Sequence, residues 1–198
     1  MQSRKALLSV VIFLTALSVS NAGKTAEINI ASASNFGGTL RELVDTFYKA
    51  ALVDSETFNI ILASTGKHTA QINRGAPFDI FLSADKVGSS IDSKLIMANS
   101  EFTYATGILS LVFRHTLNNF NIEHFSQNST FTETIDCLAI ANPNVAPYGK
   151  AGLSVVESLK KSGLSVSRLV QGQSVAQAFQ FFYTGACNTA LVAHAQVM

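Results

Sequence analysis

From Glu27 onward the chain alternates between short β-branched runs and stretches with helical spacing, and this alternation restricts the fold more than any other feature. Residues 27–31 (EINIA) read as a strand, and residues 38–49 as a helix with Leu40, Leu43, Val44 and Phe47 on one face. A strand over 58–63, a helix over 67–74 closed by Gly75-Ala76-Pro77, and a strand over 79–83 follow, with Asp85 placed to cap a short helix after it. Strands alternating with short helices predict a parallel sheet covered on both faces. Residues 108–113 (ILSLVF) form a strand of another kind, reached through a polar stretch and followed by a loop over 114–131 rich in Asn, Thr and Ser. It reads as a crossing between two halves. The alternation then restarts: strand 137–141, helix 150–161, short strand 168–170, helix 174–182 and strand 189–193. Two α/β halves joined by a crossing strand enclose a cleft, and ligands in such sheets bind beyond the carboxyl ends of the strands.

The chain has 198 residues, 47% of them hydrophobic, enough for one or two small domains with real cores. Only 14% are charged, against about 25% in a typical soluble domain. The formal charge of +1 is spread without runs, so nothing attracts nucleic acid or an acidic membrane surface. The first 22 residues, MQSRKALLSVVIFLTALSVSNA, place Arg4 and Lys5 before an apolar stretch and end in small residues, the pattern of a secretory signal peptide cleaved after Ala22. A membrane anchor fits less well, because Ser9, Thr15 and Ser18 break a stretch already short of the ~20 residues a span needs. Removal of Arg4 and Lys5 takes the charge from +1 to −1, and the mature protein is expected to be exported and soluble. An oxidising compartment permits Cys137 and Cys187 to pair, each opening or just preceding a strand; two buried free thiols remain the alternative. Neither has a second Cys or His at metal-ligand spacing.

Four strand-to-helix turns gather at the expected cleft: Ser32 to Gly38, Ser64-Thr65-Gly66, Asn142 to Gly149, and Gln171 to Val175. The second of these, in ILASTGKHTAQI, fails as a nucleotide P-loop, since Ile61 stands where the first glycine belongs and His68 where the Ser/Thr belongs. What remains is a strand, a short hydroxyl-bearing turn and a helix whose free N–H groups point outward, which is an oxyanion seat. The four turns carry hydroxyls, amides and glycines, and within them neither a carboxylate nor a cation. A fully deprotonated dianion suits such a set, because it accepts everywhere and donates nowhere. The same residue types are also the defaults of N-caps and turns in any α/β protein, so a binding site and ordinary capping both stay open on composition alone.

The stretches ASASNFGGTLRELVDTF, LASTGKHTAQINRGAPFDIFLSADK, FTYATGILSLVF, LAIANPNVAPYGKAG and QGQSVAQAFQF resemble, in order and spacing, those of periplasmic molybdate-binding proteins, the substrate-binding components of ABC molybdate importers. The resemblance covers nearly everything after the signal peptide. It implies a type II periplasmic-binding-protein fold, two α/β lobes closing on one tetrahedral oxyanion, with lobe I over residues 23–103 and lobe II, including the crossing strand, over 104–198. Carried over by motif, the ligand contacts are Ser34, Asn35, Ser64 and Thr65 from the first lobe, with Tyr148 and the backbone N–H of Val175 from the second. Some family members draw a tyrosine from a later strand instead; here that position, near Ala193, carries no hydroxyl. Family members usually continue past that strand with another crossing segment and a final helix, whereas this sequence stops at Met198; the resemblance implies either a truncated product, whose first lobe would lack its last elements, or a C-terminal part beyond the sequence given.

The implied function is periplasmic capture of molybdate or tungstate and delivery to a membrane permease, by a monomer without catalysis, cofactor or free metal cation. The alternatives are another tetrahedral oxyanion such as sulfate, or a truncated remnant that does not transport. A hydrolase using Ser34 or Ser64 with His68, His115, His124 or His194 lacks both a G-x-S-x-G elbow and a carboxylate placed to orient a histidine. His68 is expected to be a solvated helix residue and Tyr104 a packing residue at the crossing.

Overall fold

The computed structural model describes residues 26–51, 56–114 and 134–198. The expected signal peptide, residues 115–131 of the expected loop, and His115 and His124 lie outside them. The described residues build two sheets. In the first, β1 (Ala26–Ala33), β2 (Glu56–Ala63) and β3 (Ile80–Leu82) are parallel in the order β2-β1-β3. β1 is the central strand, and its last four residues are buried. α1 (Gly37–Ala51) follows β1 through a 3-10 turn at Ser34–Phe36, and α2 (Thr65–Ile72) follows β2 directly. Both strands therefore end beside a helix start, as the alternation requires.

The second sheet runs β4 (Leu109–Phe113), β7 (Thr189–Ala193), β5 (Thr134–Ala141) and β6 (Ser165–Gly172), side by side in that order. β4 pairs antiparallel with β7, so this sheet is mixed and not parallel throughout. Alternation along β5 explains its two faces. Leu138 and Ile140 pack with Val156 and Leu159 of α3 (Pro147–Lys161), while Cys137 and Ala139 face Phe179 and Phe182 of α4 (Val175–Tyr183). All five residues of β7 are buried, which fits a strand covered by a helix on each face. Among the described residues no helix is long and apolar enough to cross a membrane.

Three local expectations change. β6 spans eight residues where the sequence marks three as strand, because Ser165, Ser167 and Arg168 occupy an exposed sheet edge that needs no apolar face. Asp85 caps no helix: a 3-10 turn at Gly88–Ser90 follows, its N-cap is Val87, and the Asp85 carboxylate accepts from the adjacent Lys86 N–H at 2.8 Å. Cys137 lies inside β5 and not at its leading end, yet β5 and β7 are parallel neighbours, with Leu138 opposite Thr189. That pairing brings Cys137 beside Cys187, Cα to Cα 5.1 Å, in a disulfide, which resolves the alternative of two free thiols.

Candidate functional site

Ser34, Asn35, Ser64, Thr65, Tyr148 and Val175 all line one small cavity between the two sheets, together with Ala33, Ala84, Ala146 and Pro147. Its volume is only about 10 Å³, far below the roughly 300–1,000 Å³ of pockets that take organic ligands and cofactors. Each polar member is set by the end of a regular element. Ser34 and Asn35 form the 3-10 turn between β1 and α1. Ser64 and Thr65 are the N-cap and first residue of α2. Pro147 opens α3, where its missing N–H costs nothing, and Tyr148 follows it. Val175 is the first residue of α4, whose N-cap Ser174 accepts from Gln177 N–H at 3.3 Å.

The N-terminal ends of α2, α3 and α4 and the turn entering α1 thus converge, each bringing unsatisfied N–H groups and a partial positive charge. None of the four helices has an acidic residue in its first turn. No charged residue lines the cavity.

The side chains themselves are free to donate. Ser64 is 5% exposed and sits at an N-cap, yet its hydroxyl makes no cap hydrogen bond. The Ser34 and Tyr148 hydroxyls and the Asn35 amide have no hydrogen-bond partner among the described residues. Thr65 Oγ1 accepts from Ala84 N–H at 3.0 Å, which leaves its own proton available. Burial pushes the Tyr148 phenol above its ordinary value, so it stays a neutral donor. An array of neutral donors at helix N-termini can hold an anion that only accepts; it offers no nucleophile paired with a base.

Beside the cavity the two sheets touch: Gly66 N–H donates to the Val145 carbonyl at 2.9 Å. A wider cleft beside this contact shares Thr65, Ala146 and Pro147 with the cavity and has Asp85, Lys86 and Lys150 in its lining.

His68 is not solvated. It is fully buried, its Nε2–H donates to the Ser32 carbonyl at 3.1 Å, Nδ1 faces the Gln71 side-chain amide at 3.2 Å, and its ring meets Phe78 and Phe81 edge-on. Burial lowers its pKa, so it is a neutral strut between α2 and β1. His194 bonds Ser110 at 2.9 Å, and neither described histidine in the hydrolase reading hydrogen-bonds Ser34 or Ser64. Tyr104 packs on Phe36 with ring centroids 5.1 Å apart, as the sequence suggests. It also donates to the Ser83 carbonyl at 2.7 Å, and burial, with Tyr148 nearby, raises its pKa. The sequence reading passed over Gly107, which lies against the Tyr148 hydroxyl; a glycine between FTYAT and a strand was the one available signal.

Two α/β sheets meeting over a small donor-lined cavity define a two-lobed binding protein with the periplasmic-binding-protein fold. The chain belongs to the family of bacterial extracellular solute-binding proteins, whose sequence pattern matches residues 28–198. It is similar to the molybdate-binding protein ModA of Azotobacter vinelandii, at 34% identity over 181 residues, covering 89% of this chain and 68% of the relative. The ModA of Rhodobacter capsulatus is 30% identical over 174 residues, covering 87% and 66%. The chain thus spans about two thirds of the length of these curated relatives. Among solved structures, the periplasmic molybdate-binding protein of Azotobacter vinelandii superposes with a TM-score of 0.66 at 32% identity, over 84% of this chain and 71% of that one.

Proposed function

We propose that this chain binds molybdate, and tungstate with it, as the bare dianion in the cavity, and delivers it in the periplasm to the membrane permease of an ABC transporter. The observation that carries this reading is the lining: neutral donors at the ends of four helices, no acid in any first turn, and no charged side chain. The two curated relatives, both named as molybdate-binding proteins, support the choice of ion. In this reading Ser34, Asn35, Ser64, Thr65 and Tyr148 donate side-chain hydrogen bonds to the oxyanion and Val175 donates its backbone N–H. Each charge-assisted bond is worth roughly 1.5–3 kcal/mol.

Phosphate at neutral pH carries a proton and needs an acceptor, and the lining has no carboxylate. Sulfate has the right charge but a smaller radius, and donors fixed on helix ends cannot all shorten their bonds around it. The lobes are residues 23–103 and 104–198, a division supported by the change of sheet between β3 and β4. They close as a monomer on the ion, whose greater affinity for the closed form shifts the population.

The test is thermal unfolding of residues 23–198 with molybdate, tungstate, sulfate or phosphate. Ligand at about a hundred times its Kd adds roughly 2.7 kcal/mol, several degrees in Tm. A shift with molybdate and tungstate but not sulfate or phosphate is expected. A cooperative transition that none of the four ions moves would overturn the reading.

A further inference from the structure

We infer that Gly107, in the segment that crosses between the lobes, is a positioning residue for the Tyr148 hydroxyl: the side chain it lacks is the space that hydroxyl occupies. A Cβ built on Gly107 overlaps the Tyr148 oxygen and lies 3.0 Å from the ring carbon that bears it. The glycine cannot retreat easily. On one side Ile108 accepts from His194 N–H at 2.9 Å and β4 begins, pairing Leu109 with Ala193. On the other, three residues back, Tyr104 is tied to the first lobe through its 2.7 Å bond to Ser83 and its packing on Phe36. Tyr148 is held at its base as well, because the next residue, Gly149, is packed so closely that a Cβ there would be 2.5 Å from the Ala141 carbonyl oxygen.

What can yield is the far end of the phenol. An alanine at 107 therefore leaves both backbones in place and swings the hydroxyl away from the cavity wall. The inference rests on Tyr148 contacting the bound ion, and it adds that the crossing segment sets where that contact is made. Because the same segment joins the two sheets, the hydroxyl's position is tied to the geometry of the crossing.

The experiment is a double-mutant cycle on the full chain with Gly107→Ala, Tyr148→Phe and both, read by calorimetric titration with sodium molybdate. The same four proteins, labelled with fluorotyrosine, are compared without ligand by 19F NMR, the Tyr148 line being the one lost in Tyr148→Phe. Gly107→Ala is expected to weaken molybdate binding about tenfold or more, as Tyr148→Phe does. The double variant should be no worse than Tyr148→Phe alone, because the oxygen that clashes is gone. The unliganded Gly107→Ala protein should unfold at the parent's midpoint with its Tyr148 line shifted. Additive losses in the cycle, or an unmoved Tyr148 line, would overturn the positioning role. If the parent binds no molybdate while the 19F line still moves in Gly107→Ala, the binding reading falls and the packing relation stands.

Discussion

Replacing Gly66 with alanine separates ligand binding from folding. Gly66 is the second residue of α2, and its N–H bond to Val145 is a backbone contact between the turns of the two sheets. A Cβ there would lie 2.8 Å from the Val145 oxygen, 3.0 Å from its Cα and 3.2 Å from its carbonyl carbon. All three are backbone atoms, so no side chain can swing aside and the turns themselves must part. Overpacking of this kind costs about 1–3 kcal/mol, and the lost hydrogen bond about 0.5–1.5 kcal/mol. Together that is roughly 1.5–4.5 kcal/mol, borne only by the conformation in which the turns touch. At about 1.4 kcal/mol per factor of ten, molybdate affinity falls by about tenfold to a thousandfold. The proposed closure lets the unliganded protein part these turns, and alanine improves the helix by up to about 1 kcal/mol. Calorimetric titration gives the affinity, and thermal unfolding without ligand gives the stability. Weaker binding with an unchanged or raised midpoint is expected. A Kd within twofold of the parent would show that the contact is no part of the bound form, and a midpoint that falls in step with affinity would make it a folding contact.

Ser64→Ala should lower molybdate affinity about ten- to a hundredfold without the loss of about 1 kcal/mol that an N-cap substitution usually brings, since this hydroxyl makes no cap bond; calorimetry and unfolding midpoints read the two effects separately. His68 is held neutral in the fold by burial, whereas in the unfolded chain it protonates near its ordinary value of 6.5. The unfolded state thus binds more protons below that pH, and stability should fall as pH drops from 6.5, with a slope of at most about 1.4 kcal/mol per pH unit. Tm measured between about pH 7.5 and 5 should show this dependence, and His68→Gln should flatten it; an unchanged slope would assign it to other groups. The disulfide closes a 50-residue separation, for which chain entropy predicts about 4 kcal/mol. A Cys137→Ala/Cys187→Ala variant should lose about 2–4 kcal/mol in urea unfolding, and no loss would deny the bond a stabilising role.

The alternation of strands and helices was legible because it is written locally, in apolar spacing and in the turn residues that end each element. That the six candidates gather at one cavity was legible for the same reason: each stands at a strand-to-helix junction, and the motifs around them carry the family resemblance. What stayed hidden depends on distant backbone. The helix TGKHTAQI looks solvated because its residues are polar, yet α2 has only eight residues and turns His68 onto the Ser32 carbonyl of β1. A carbonyl acceptor leaves no mark on sequence. The same holds for Gly107, whose requirement comes from a hydroxyl 41 positions on, and for Cys137 and Cys187, whose pairing follows from β5 and β7 being neighbours. β6 was undercounted because an edge strand with polar residues carries no apolar alternation to read.

The absence of acids from four helix starts is itself a functional statement. An Asp or Glu in a first turn commonly stabilises a helix by about 0.3–1 kcal/mol, so these helices forgo roughly 1–4 kcal/mol in all. Ser64 adds to that deficit, since an unsatisfied buried hydroxyl costs about 1–3 kcal/mol and this one is 5% exposed without a cap bond. A carboxylate at any of these positions would satisfy the donors permanently and repel an incoming anion. Without an acid these helix ends keep donors for the proposed dianion, which would supply the missing charge to several of them at once. In the proposed complex, stability given up in the unliganded chain reappears as affinity. Because the donors are set by rigid element ends rather than by flexible charged side chains, the affinity depends on the distance between oxygens, and that dependence is what can separate tetrahedral dianions of equal charge.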